Sequence, residues 1–317
     1  MANTHDIVTL TINPCLDISA EIDRLEPTKK MRCRNNRVDP GGGGINVSRA
    51  IKILDGTSLA VFPVGGSIGD TLVQLLDSQG IATRTVATKQ SNRQSFAIRE
   101  LEENRQYRFA LPGPEIREKT WQDCFKRITA LEPAPAYIVA SGSLPPGVPE
   151  DYYGRLAEYF RDTPTRVVLD TSGEALKHAL DARVYLIKPN QRELEYICDC
   201  SLANNERQEE MCQEIVNTGK CEVVVLSLGE KGALLTTQDQ QFRVPALEAD
   251  AISAVGAGDC FVGAMVLALQ QKKSLKEAFL YGVAAGTAAL ATEATILCRK
   301  DQTEAFYDQL HQRYGDS

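Results

Sequence analysis

A single carboxylate stands at the start of a predicted apolar helix, in the segment SAVGAGDCFVGAM at residues 253–265. Gly256, Ala257 and Gly258 carry no bulky side chains, so the chain can turn tightly and a ligand can approach the backbone. The free N–H groups and positive dipole of the helix start favour an anion, such as a phosphoryl group in transfer. Asp259 would then take up a proton beside this anion site, or it would serve only as a favourable acid at a helix start.

A second glycine run lies in DPGGGGINVSRA, residues 39–50, directly before a predicted amphipathic helix. Such glycines let backbone N–H groups contact a ligand closely, and Asn46 can donate and accept hydrogen bonds beside them. The alternative is a flexible turn. The run matches neither the G-x-G-x-x-G dinucleotide fingerprint nor the phosphate-binding P-loop, and the chain contains neither motif.

A third candidate lies in IKPNQREL, residues 187–194, where a predicted strand ends and a helix begins. Asn190 and Glu193 are three positions apart and therefore share one helix face. Oxygen ligands on that face suit a magnesium ion that keeps most of its waters while it bridges phosphates. The same spacing equally predicts a capping box, with Asn190 as the N-cap and Glu193 at the third helical position.

Several charged residues fall outside these motifs. Asp17 follows the first predicted strand in TINPCLD, where a carboxylate would hold sugar hydroxyls or serve in a turn. Two further segments carry the cations Lys30, Arg32, Arg93 and Arg108. Because the formal net charge is −7, an anionic ligand would need such a local group of cations. The alternative is a solvated charged face.

Apolar runs and helical spacing alternate along most of the chain. The predicted strands cover residues 7–13, 58–66, 137–143, 166–173, 184–190 and 222–229, and the predicted helices cover 44–54, 68–80, 150–162, 174–180 and 209–219. Nearly continuous apolar strands between helices are typical of a parallel sheet covered on both faces. We therefore predict an α/β fold with a doubly wound, mostly parallel sheet, and a hairpin at SLGEKGALL, residues 227–235.

Two stretches depart from this alternation and show strand-like period-two patterns. They are MRCRNNRVDP at 31–40 and SFAIRELEENRQYRFALP at 95–112. They would form one small β lid, built from residues 17–40 and 93–112, or two unrelated hairpins. No linker is long enough to separate independent domains, so we expect a single domain over residues 1–317 with this lid.

The overall composition argues against several classes of protein. With 317 residues, 43% of them hydrophobic, the chain can supply a full core. An acidic chain is poorly suited to nucleic acid or an anionic membrane, so neither partner is expected. Nine cysteines without a C-x-x-C pair and three scattered histidines predict reduced thiols rather than a zinc site. Without a signal peptide or a run of about 18 apolar residues, a cytoplasmic location is expected.

Taken together and in this order, the motifs resemble those of the PfkB-type carbohydrate kinases, a ribokinase-like family, from residue 7 to residue 300. PGGGGINVSRA is similar to the family's N-terminal signature, and AVGAGDCFVGAM is similar to its C-terminal one. The segments SGSLPPGVP, DTSGEAL, KPNQREL, EIVNTGK, SLGEKGAL and YGVAAGTAA resemble the minor bacterial 6-phosphofructokinase branch. The resemblance implies a ribokinase-like α/β fold with a small β-sheet lid.

The resemblance also implies a role for each matching residue. The catalytic residues would be Asp259 as the base and the backbone of Gly256, Ala257 and Gly258 as the anion site. The ATP site would contain Lys188, Asn190, Ser227, Gly229 and Gly232, with Asn190 and Glu193 organising Mg²⁺. The sugar hydroxyls would be held by Asp17, Asn46 and the backbone of Gly42 and Gly43. The phosphate of the substrate would be bound by Lys30, Arg32, Arg93 and Ser143.

The implied reaction is transfer of the γ-phosphoryl group of ATP to the C1 hydroxyl of fructose 6-phosphate, in a homodimer formed through the lid. Tagatose-6-phosphate kinase and 1-phosphofructokinase activities are alternatives on the same fold. A non-catalytic sugar-phosphate sensor is a further alternative, which the intact Asp259 and anion site disfavour.

The chain departs from the family pattern in a region that supports adenine and a monovalent cation. Ala254 stands where many members have threonine, and Ala294 and Ile296 stand where similar members have glycine and arginine. A dependence on K⁺ therefore stays open.

Overall fold

The computed structural model describes residues 5–293 and 295–315. Its strands are β1 (Ile7–Leu10), β2 (Cys15–Ile22), β3 (Arg34–Gly41), β4 (Leu59–Val64), β5 (Ala82–Ala87), β6 (Arg93–Glu100), β7 (Arg105–Ala110), β8 (Tyr137–Ser141), β9 (Arg166–Asp170), β10 (Val184–Ile187), β11 (Cys221–Ser227), β12 (Ala233–Thr236) and β13 (Gln241–Val244). Its helices are α1 (Gly43–Ile53), α2 (Gly66–Ser78), α3 (Glu118–Thr129), α4 (Tyr152–Phe160), α5 (Glu174–Asp181), α6 (Gln191–Cys198), α7 (Asn205–Asn217), α8 (Ala257–Gln270), α9 (Leu275–Leu290) and α10 (Lys300–Tyr314).

The larger sheet places the carboxyl ends of its parallel strands at one edge. Within the described residues it has nine strands in the order β13-β12-β11-β10-β9-β8-β1-β4-β5. The neighbours from β5 to β11 are parallel, whereas β12 and β13 run antiparallel. This confirms the predicted doubly wound sheet and the predicted hairpin after β11. Because β1 lies between β8 and β4, the strand order reverses there and a ligand crevice is expected beyond its carboxyl end.

Helices bury both faces of this sheet, as the apolar strands predict. One face packs against α3, α4, α5 and α7, and the other packs against α1, α8, α9 and α10. Every residue of α8 from Cys260 to Leu269 is buried. A helix that is apolar on all sides belongs in a core. Asp259 is the one charged residue of this helix and stands in its half-buried first turn.

A second sheet forms the predicted lid. Among the described residues it has four strands in the order β3-β2-β6-β7, with β2 and β6 parallel and the outer pairs antiparallel. At the end joined to the large sheet, Cys15 is aligned with Gly41 and with Arg93. The two period-two segments therefore belong to one sheet rather than to unrelated hairpins.

Several elements differ from the sequence prediction. The apolar pattern does not predict β5, β13, α3, α9 or α10. β5 and β13 are edge strands of the large sheet, so they lack a continuous apolar run. α9 is apolar and buried nearly throughout, so it shows no amphipathic period. In the part of the chain that is described, no helix is both long and apolar enough to cross a membrane.

Candidate active site

Asp259 lies in the first turn of α8, at the edge where the parallel strands end. The helix begins after Gly256, whose φ of 74° lies in the left-handed region that favours glycine. Asn46 Nδ2 donates a hydrogen bond of 2.9 Å to Asp259 Oδ2. Asn46 belongs to α1, which follows the other glycine run, so the fold brings the two predicted glycine-rich motifs together.

The surroundings of Asp259 bring the pKa of its carboxyl group close to neutral pH. Burial, reinforced by the negative charge of Asp170, raises the pKa of Asp259 to about 7. The hydrogen bond from Asn46 and the charge of Lys188 oppose this rise. A carboxylate with a pKa close to the working pH is well suited to general base catalysis. A role limited to the helix start would need neither the partner nor the raised pKa.

A fixed positive charge lies beside the start of α8. A Cβ on Gly258 would stand 3.3 Å from Lys188 Nζ, so the glycine leaves room between the helix start and this ammonium group. Lys188 Nζ is 3.1 Å from Asp170 Oδ1. Burial works to lower the pKa of Lys188, but the neighbouring carboxylates, led by Asp170, outweigh burial and raise it. The Lys188 ammonium group and the helix N–H groups therefore lie side by side next to Asp259, as the predicted anion site requires.

The predicted capping box at Asn190 and Glu193 is present. Asn190 Oδ1 accepts from the Glu193 N–H at 3.0 Å, and the Asn190 N–H donates to Glu193 Oε2 at 2.8 Å. Burial raises the pKa of Glu193, with the backbone N–H of Asn190 opposing the rise and Asp170 adding to it. Glu193 thus lies within electrostatic reach of Asp170 and Lys188, so the magnesium interpretation stays a prediction beside the capping role.

The other residues predicted for the ATP site lie next to this box. The Ser227 N–H donates to the Pro189 carbonyl at 2.9 Å, and Ser227 forms a parallel bridge with Asn190. A Cβ on Gly229 would meet nothing within 4 Å, so its backbone faces open space. A Cβ on Gly232 would stand 2.0 Å from the Val244 carbonyl oxygen, so packing alone requires a glycine at this position.

Asp17 reaches the crevice from the lid strand β2. A Cβ on Gly41 would stand 2.0 Å from Asp17 Oδ2, so the carboxylate lies against the backbone that leads into the glycine run. Cys15 Sγ donates to Asp17 Oδ1 at 2.9 Å. Burial raises the pKa of Asp17, although the Cys15 thiol and Arg93 oppose the rise. Asp17 and Asp259 also interact electrostatically, which places both beside the same crevice.

The glycine run itself packs against the ends of β1 and β8. Gly42 has a φ of 105°, and a Cβ there would stand 2.8 Å from Thr11 Cγ2. A Cβ on Gly43 would stand 2.1 Å from Ser141 Oγ. Small residues are therefore required by packing, and the role of this backbone toward a sugar stays a prediction.

Two of the predicted phosphate ligands are joined by a residue that sequence reasoning missed. Arg93 Nε donates to Asn13 Oδ1 at 3.0 Å, and Asn13 Nδ2 donates to Ser143 Oγ at 3.1 Å. We call these three residues the Arg93–Asn13–Ser143 array. Asn13 stands in TINPCLD beside Asp17, but nothing in that motif pointed to Arg93 or Ser143.

Lys30 and Arg32 are not part of that array in one chain. Both are exposed and lie in the connection between β2 and β3, beyond the lid end where Glu21 pairs with Arg34. Arg93 is aligned with Cys15 at the opposite end. At about 3.3 Å per residue, the two ends of β2 are roughly 20 Å apart. Within one chain the register therefore places Lys30 and Arg32 at the opposite end of the lid sheet from Arg93, and a phosphate site that contains all three cations stays a prediction.

A buried network that the sequence did not reveal orients Asn46. Arg49 Nη1 donates to Asn46 Oδ1 at 3.2 Å, and Arg49 Nη2 donates to Asp39 Oδ1 at 3.0 Å. Asp39 also accepts from Thr295 Oγ1 at 2.6 Å. Because a guanidinium group can only donate, it holds the amide oxygen of Asn46 toward itself and the amide nitrogen toward Asp259. A hint lay in the spacing, since Arg49 follows Asn46 by three positions on one helix.

The segments with the altered family residues lie side by side. Ala254 lies just before α8, and the neighbouring Ile252 and Ser253 N–H groups donate to the Leu290 carbonyl at 2.8 and 3.2 Å. Ile296 lies in the segment after α9, and Ala294 lies outside the described residues.

A doubly wound sheet with a lid, and a crevice that combines a carboxylate base with an anion-binding helix start, define a small-molecule kinase. Residues 10–302 match the pfkB family of carbohydrate kinases, and the chain belongs to this family. It is 42% identical to ATP-dependent 6-phosphofructokinase isozyme 2 of Mycobacterium tuberculosis over 95% of this chain and 89% of that protein. The structure of phosphofructokinase-2 from Escherichia coli with substrates and products superposes with a TM-score of 0.92, at 39% identity, over 96% of this chain and 99% of that chain.

The same Escherichia coli enzyme has also been solved in complex with potassium and in a tetrameric inhibited form. Arabidopsis thaliana ribokinase, complexed with ribose and ATP, superposes with a TM-score of 0.75 at 18% identity, covering 96% of this chain and 99% of that chain. This last likeness shows a ribokinase-like fold.

Proposed function

We propose that this chain is an ATP-dependent 6-phosphofructokinase that phosphorylates the C1 hydroxyl of fructose 6-phosphate. The observation that carries the proposal is that Asp17 lies within electrostatic reach of both Arg93 and Asp259, which gives the proposed crevice two ends suited to anions. One end is the start of α8 with its base Asp259, and the other is the Arg93–Asn13–Ser143 array. A kinase for a neutral sugar has no use for the second end. The activities named for the relatives support the same substrate, and residues 1–317 are proposed to act as one kinase domain with a lid.

In the proposed reaction Asp259 removes the proton from the attacking hydroxyl. Asn46 occupies one carboxylate oxygen, Oδ2, so Oδ1 is the oxygen that accepts the proton. A positioned general base contributes about 10²–10⁴-fold to the rate. The hydroxyl oxygen then attacks the γ-phosphorus of ATP, the bond from that phosphorus to the β–γ bridging oxygen breaks, and ADP leaves. The proton remains on Asp259 until it is lost to water.

The start of α8 stabilises the charge that spreads over the transferred phosphoryl group. The N–H groups of Ala257 and Gly258 point out of the first turn, and Lys188 stands beside them. Loss of one such donor typically costs about 10²–10³-fold in rate. The lid covers this region, because Gln106 Nε2 donates to Ser253 Oγ at 3.1 Å. Covering the crevice excludes water and limits wasteful hydrolysis of ATP.

The oxygen-bearing groups near Lys188 fit Mg²⁺. Glu193, Asp170 and Asn190 offer carboxylate and amide oxygens, the donors that this hard cation prefers. Glu193 and Asn190 would hold it through its water molecules, with Asp170 added to the predicted pair. When bound, Mg²⁺ neutralises charge on the phosphates of ATP.

Removing the negative charge of Glu193 distinguishes its proposed role toward Mg²⁺ from its role in the capping box. Glu193→Gln keeps the capping box, since glutamine also serves at that position. We expect the Mg²⁺ concentration for half-maximal rate to rise about 10-fold or more, because outer partners of a metal contribute on this scale. The measurement is the Mg²⁺ dependence of the rate at fixed ATP.

The matched control is Glu277→Gln in the second capping box, formed by Ser274 and Glu277 at the start of α9. It should leave the Mg²⁺ curve unchanged. If Glu193→Gln behaves like this control, Glu193 is a capping residue alone.

K⁺ is proposed as a further ligand, as in the potassium complex of the Escherichia coli enzyme. Backbone carbonyl oxygens can bind cations without help from side chains. The hydrogen bonds from Ile252 and Ser253 to Leu290 hold the two segments together despite Ala254 and Ile296. These departures therefore do not remove the backbone oxygens of this region.

A homodimer through the lid is proposed as the working assembly. The lid exposes Val38, Phe109 and Leu111, at 39%, 51% and 45% of their surfaces. Apolar side chains clustered on a small sheet are typical of a covered surface. A second lid packed there would also explain Lys30 and Arg32, which lie far from the array of their own chain.

The position of the new phosphate tests the proposed reaction. With ATP and fructose 6-phosphate, the product should carry its second phosphate on C1, which ³¹P and ¹³C NMR identify directly. A phosphate at any other carbon, or ADP release without a bisphosphate product, would refute the assignment.

A further inference from the structure

Asn13 is a buried amide at the centre of the Arg93–Asn13–Ser143 array. It follows β1 and is only 9% exposed. Arg93 approaches from the lid and Ser143 approaches from the segment after β8. The two residues are 80 and 130 positions away from Asn13 in sequence, so one amide joins three separate parts of the fold.

The chemistry of the neighbours determines which way this amide points. Arg93 has only N–H donors, so its Nε must face the amide oxygen of Asn13, at 3.0 Å. Arg93 Nη2 also donates to the backbone carbonyl of Asn13 at 3.3 Å, which holds the guanidinium at two points. The amide nitrogen of Asn13 is then turned to Ser143 Oγ, at 3.1 Å.

This orientation determines the hydrogen-bonding polarity of Ser143. A hydroxyl group has one donor and two acceptor positions. Since Asn13 Nδ2 donates to it, Ser143 Oγ acts as an acceptor there and its own proton is free to be donated elsewhere. Ser143 is exposed, so this proton is accessible to a ligand. A phosphate needs donors, and the arrangement supplies a hydroxyl proton and the remaining guanidinium N–H groups.

We propose that Asn13 is a positioning residue for the sugar phosphate, which holds Arg93 and Ser143 so that both present donors to the phosphate of the acceptor substrate. The inference rests on the proposed function, because it takes that phosphate as the ligand of the array. Asn13 acts through Arg93 and Ser143, the two residues to which its side chain is hydrogen-bonded, and not through Asp259 or Lys188.

The sharpest test is Asn13→Asp, which preserves shape and removes the amide N–H. The carboxylate would keep Arg93 as an ion pair, draw the Ser143 proton toward itself and repel the phosphate. For Asn13→Asp we expect the KM for fructose 6-phosphate to rise about 100-fold. For Asn13→Ala, which only loosens Arg93 and Ser143, we expect a rise of about 10-fold. We expect kcat to change less than about threefold and the KM for ATP to stay constant, because the lost interaction lies away from the transferred group.

The same residue tested in a variant that lacks Arg93 and Ser143 distinguishes a positioning role of Asn13 from a role in folding. In an Arg93→Ala/Ser143→Ala protein, adding Asn13→Ala should raise KM by less than about threefold, since the residues through which Asn13 acts are absent and alanine brings no charge of its own. A full effect of Asn13→Ala, about tenfold, in that background would overturn the proposal. So would equal losses in both KM values together with a lower melting temperature, because that result indicates a structural role.

Binding of fructose 6-phosphate by calorimetry, without ATP, distinguishes this inference from the proposed function. If the wild type binds the sugar phosphate and Asn13→Asp does not, but no bisphosphate is formed, the proposed function fails and the positioning role stands. If both proteins bind equally, the positioning role fails. If the wild type does not bind fructose 6-phosphate, both fail.

Discussion

Asp259→Asn is expected to lower kcat by about 10²–10⁴-fold, the contribution of a positioned general base. The substitution preserves size, and its amide oxygen can still accept the hydrogen bond from Asn46 Nδ2. What it removes is the capacity to take up a proton, which matters only in the transition state. ATP binding should therefore survive, and the loss should appear in kcat rather than in the KM for ATP.

The pH dependence of the wild-type rate is an independent test of Asp259 as the general base. Burial raises the pKa of Asp259 to about 7, and the base must be ionised to act. The value of kcat/KM for ATP should therefore fall below pH 7, by about tenfold for each further unit of acidity. The residual rate of Asp259→Asn should lack this acid limb.

Asp301→Asn is the matched control, because Asp301 is another acid in the first turn of a helix, α10, away from the crevice. It should leave kcat and the pH profile unchanged. Wild-type-like turnover of Asp259→Asn would reduce Asp259 to a favourable charge at a helix start, like Asp301.

Arg93→Ala should raise the KM for fructose 6-phosphate by about 10–100-fold. The guanidinium group has five N–H donors. Its named contacts are to Asn13 and, at 3.5 Å, to the Leu111 carbonyl, so donors remain for a phosphate. A charge-assisted hydrogen bond contributes about 1.5–3 kcal/mol, and about 1.4 kcal/mol corresponds to a factor of ten. The KM for ATP should change little, because ATP binds on the other side of the transferred group.

The charge-matched control is Arg313→Ala on the exposed face of α10, which removes one cation far from the lid. The measurement is steady-state kinetics with fructose 6-phosphate and with fructose. Arg93→Ala should lose most of the preference for the phosphorylated sugar. An unchanged KM for fructose 6-phosphate would show that the array does not bind the phosphate.

The parts of the site that the sequence predicts are those set by local backbone requirements. The glycines before α1 and α8 predict two helix starts at which a ligand can come close to the backbone. Asn46 and Asp259 follow these glycines within a few residues. The apolar face of α1 packs against the apolar α8, and this packing brings Asn46 to Asp259. The spacing of Asn190 and Glu193 likewise predicts a capping box, which needs only one turn of helix.

The parts that the sequence did not predict depend on long-range pairing. Asn13 reads as one more polar residue after a strand until the lid brings Arg93 to it. The orientation of Asn46 by Arg49 depends on Asp39 and Thr295, which lie on the lid and after α9. Such hydrogen-bond networks join distant parts of the chain, so no local period or spacing in the sequence predicts them.

The separation of Lys30 and Arg32 from Arg93 within one chain was missed for the same reason. Membership of one small sheet was taken to mean proximity, but proximity within a sheet is decided by strand register. β2 spans the lid from Cys15 to Ile22, and the register places Arg93 at one end of it and the Lys30 segment beyond the other. Sequence patterns identify strands far better than they identify register when both faces are half exposed.

The most direct test of the central claim is ADP release by the wild type with four acceptors: fructose 6-phosphate, tagatose 6-phosphate, fructose 1-phosphate and fructose. Two or more charge-assisted bonds to the 6-phosphate predict a kcat/KM for fructose 6-phosphate at least about 10²-fold above that for fructose. We expect fructose 6-phosphate to be the best of the four. A higher kcat/KM for tagatose 6-phosphate or fructose 1-phosphate would contradict the substrate assignment, and equal use of fructose would contradict the second anion-binding end altogether.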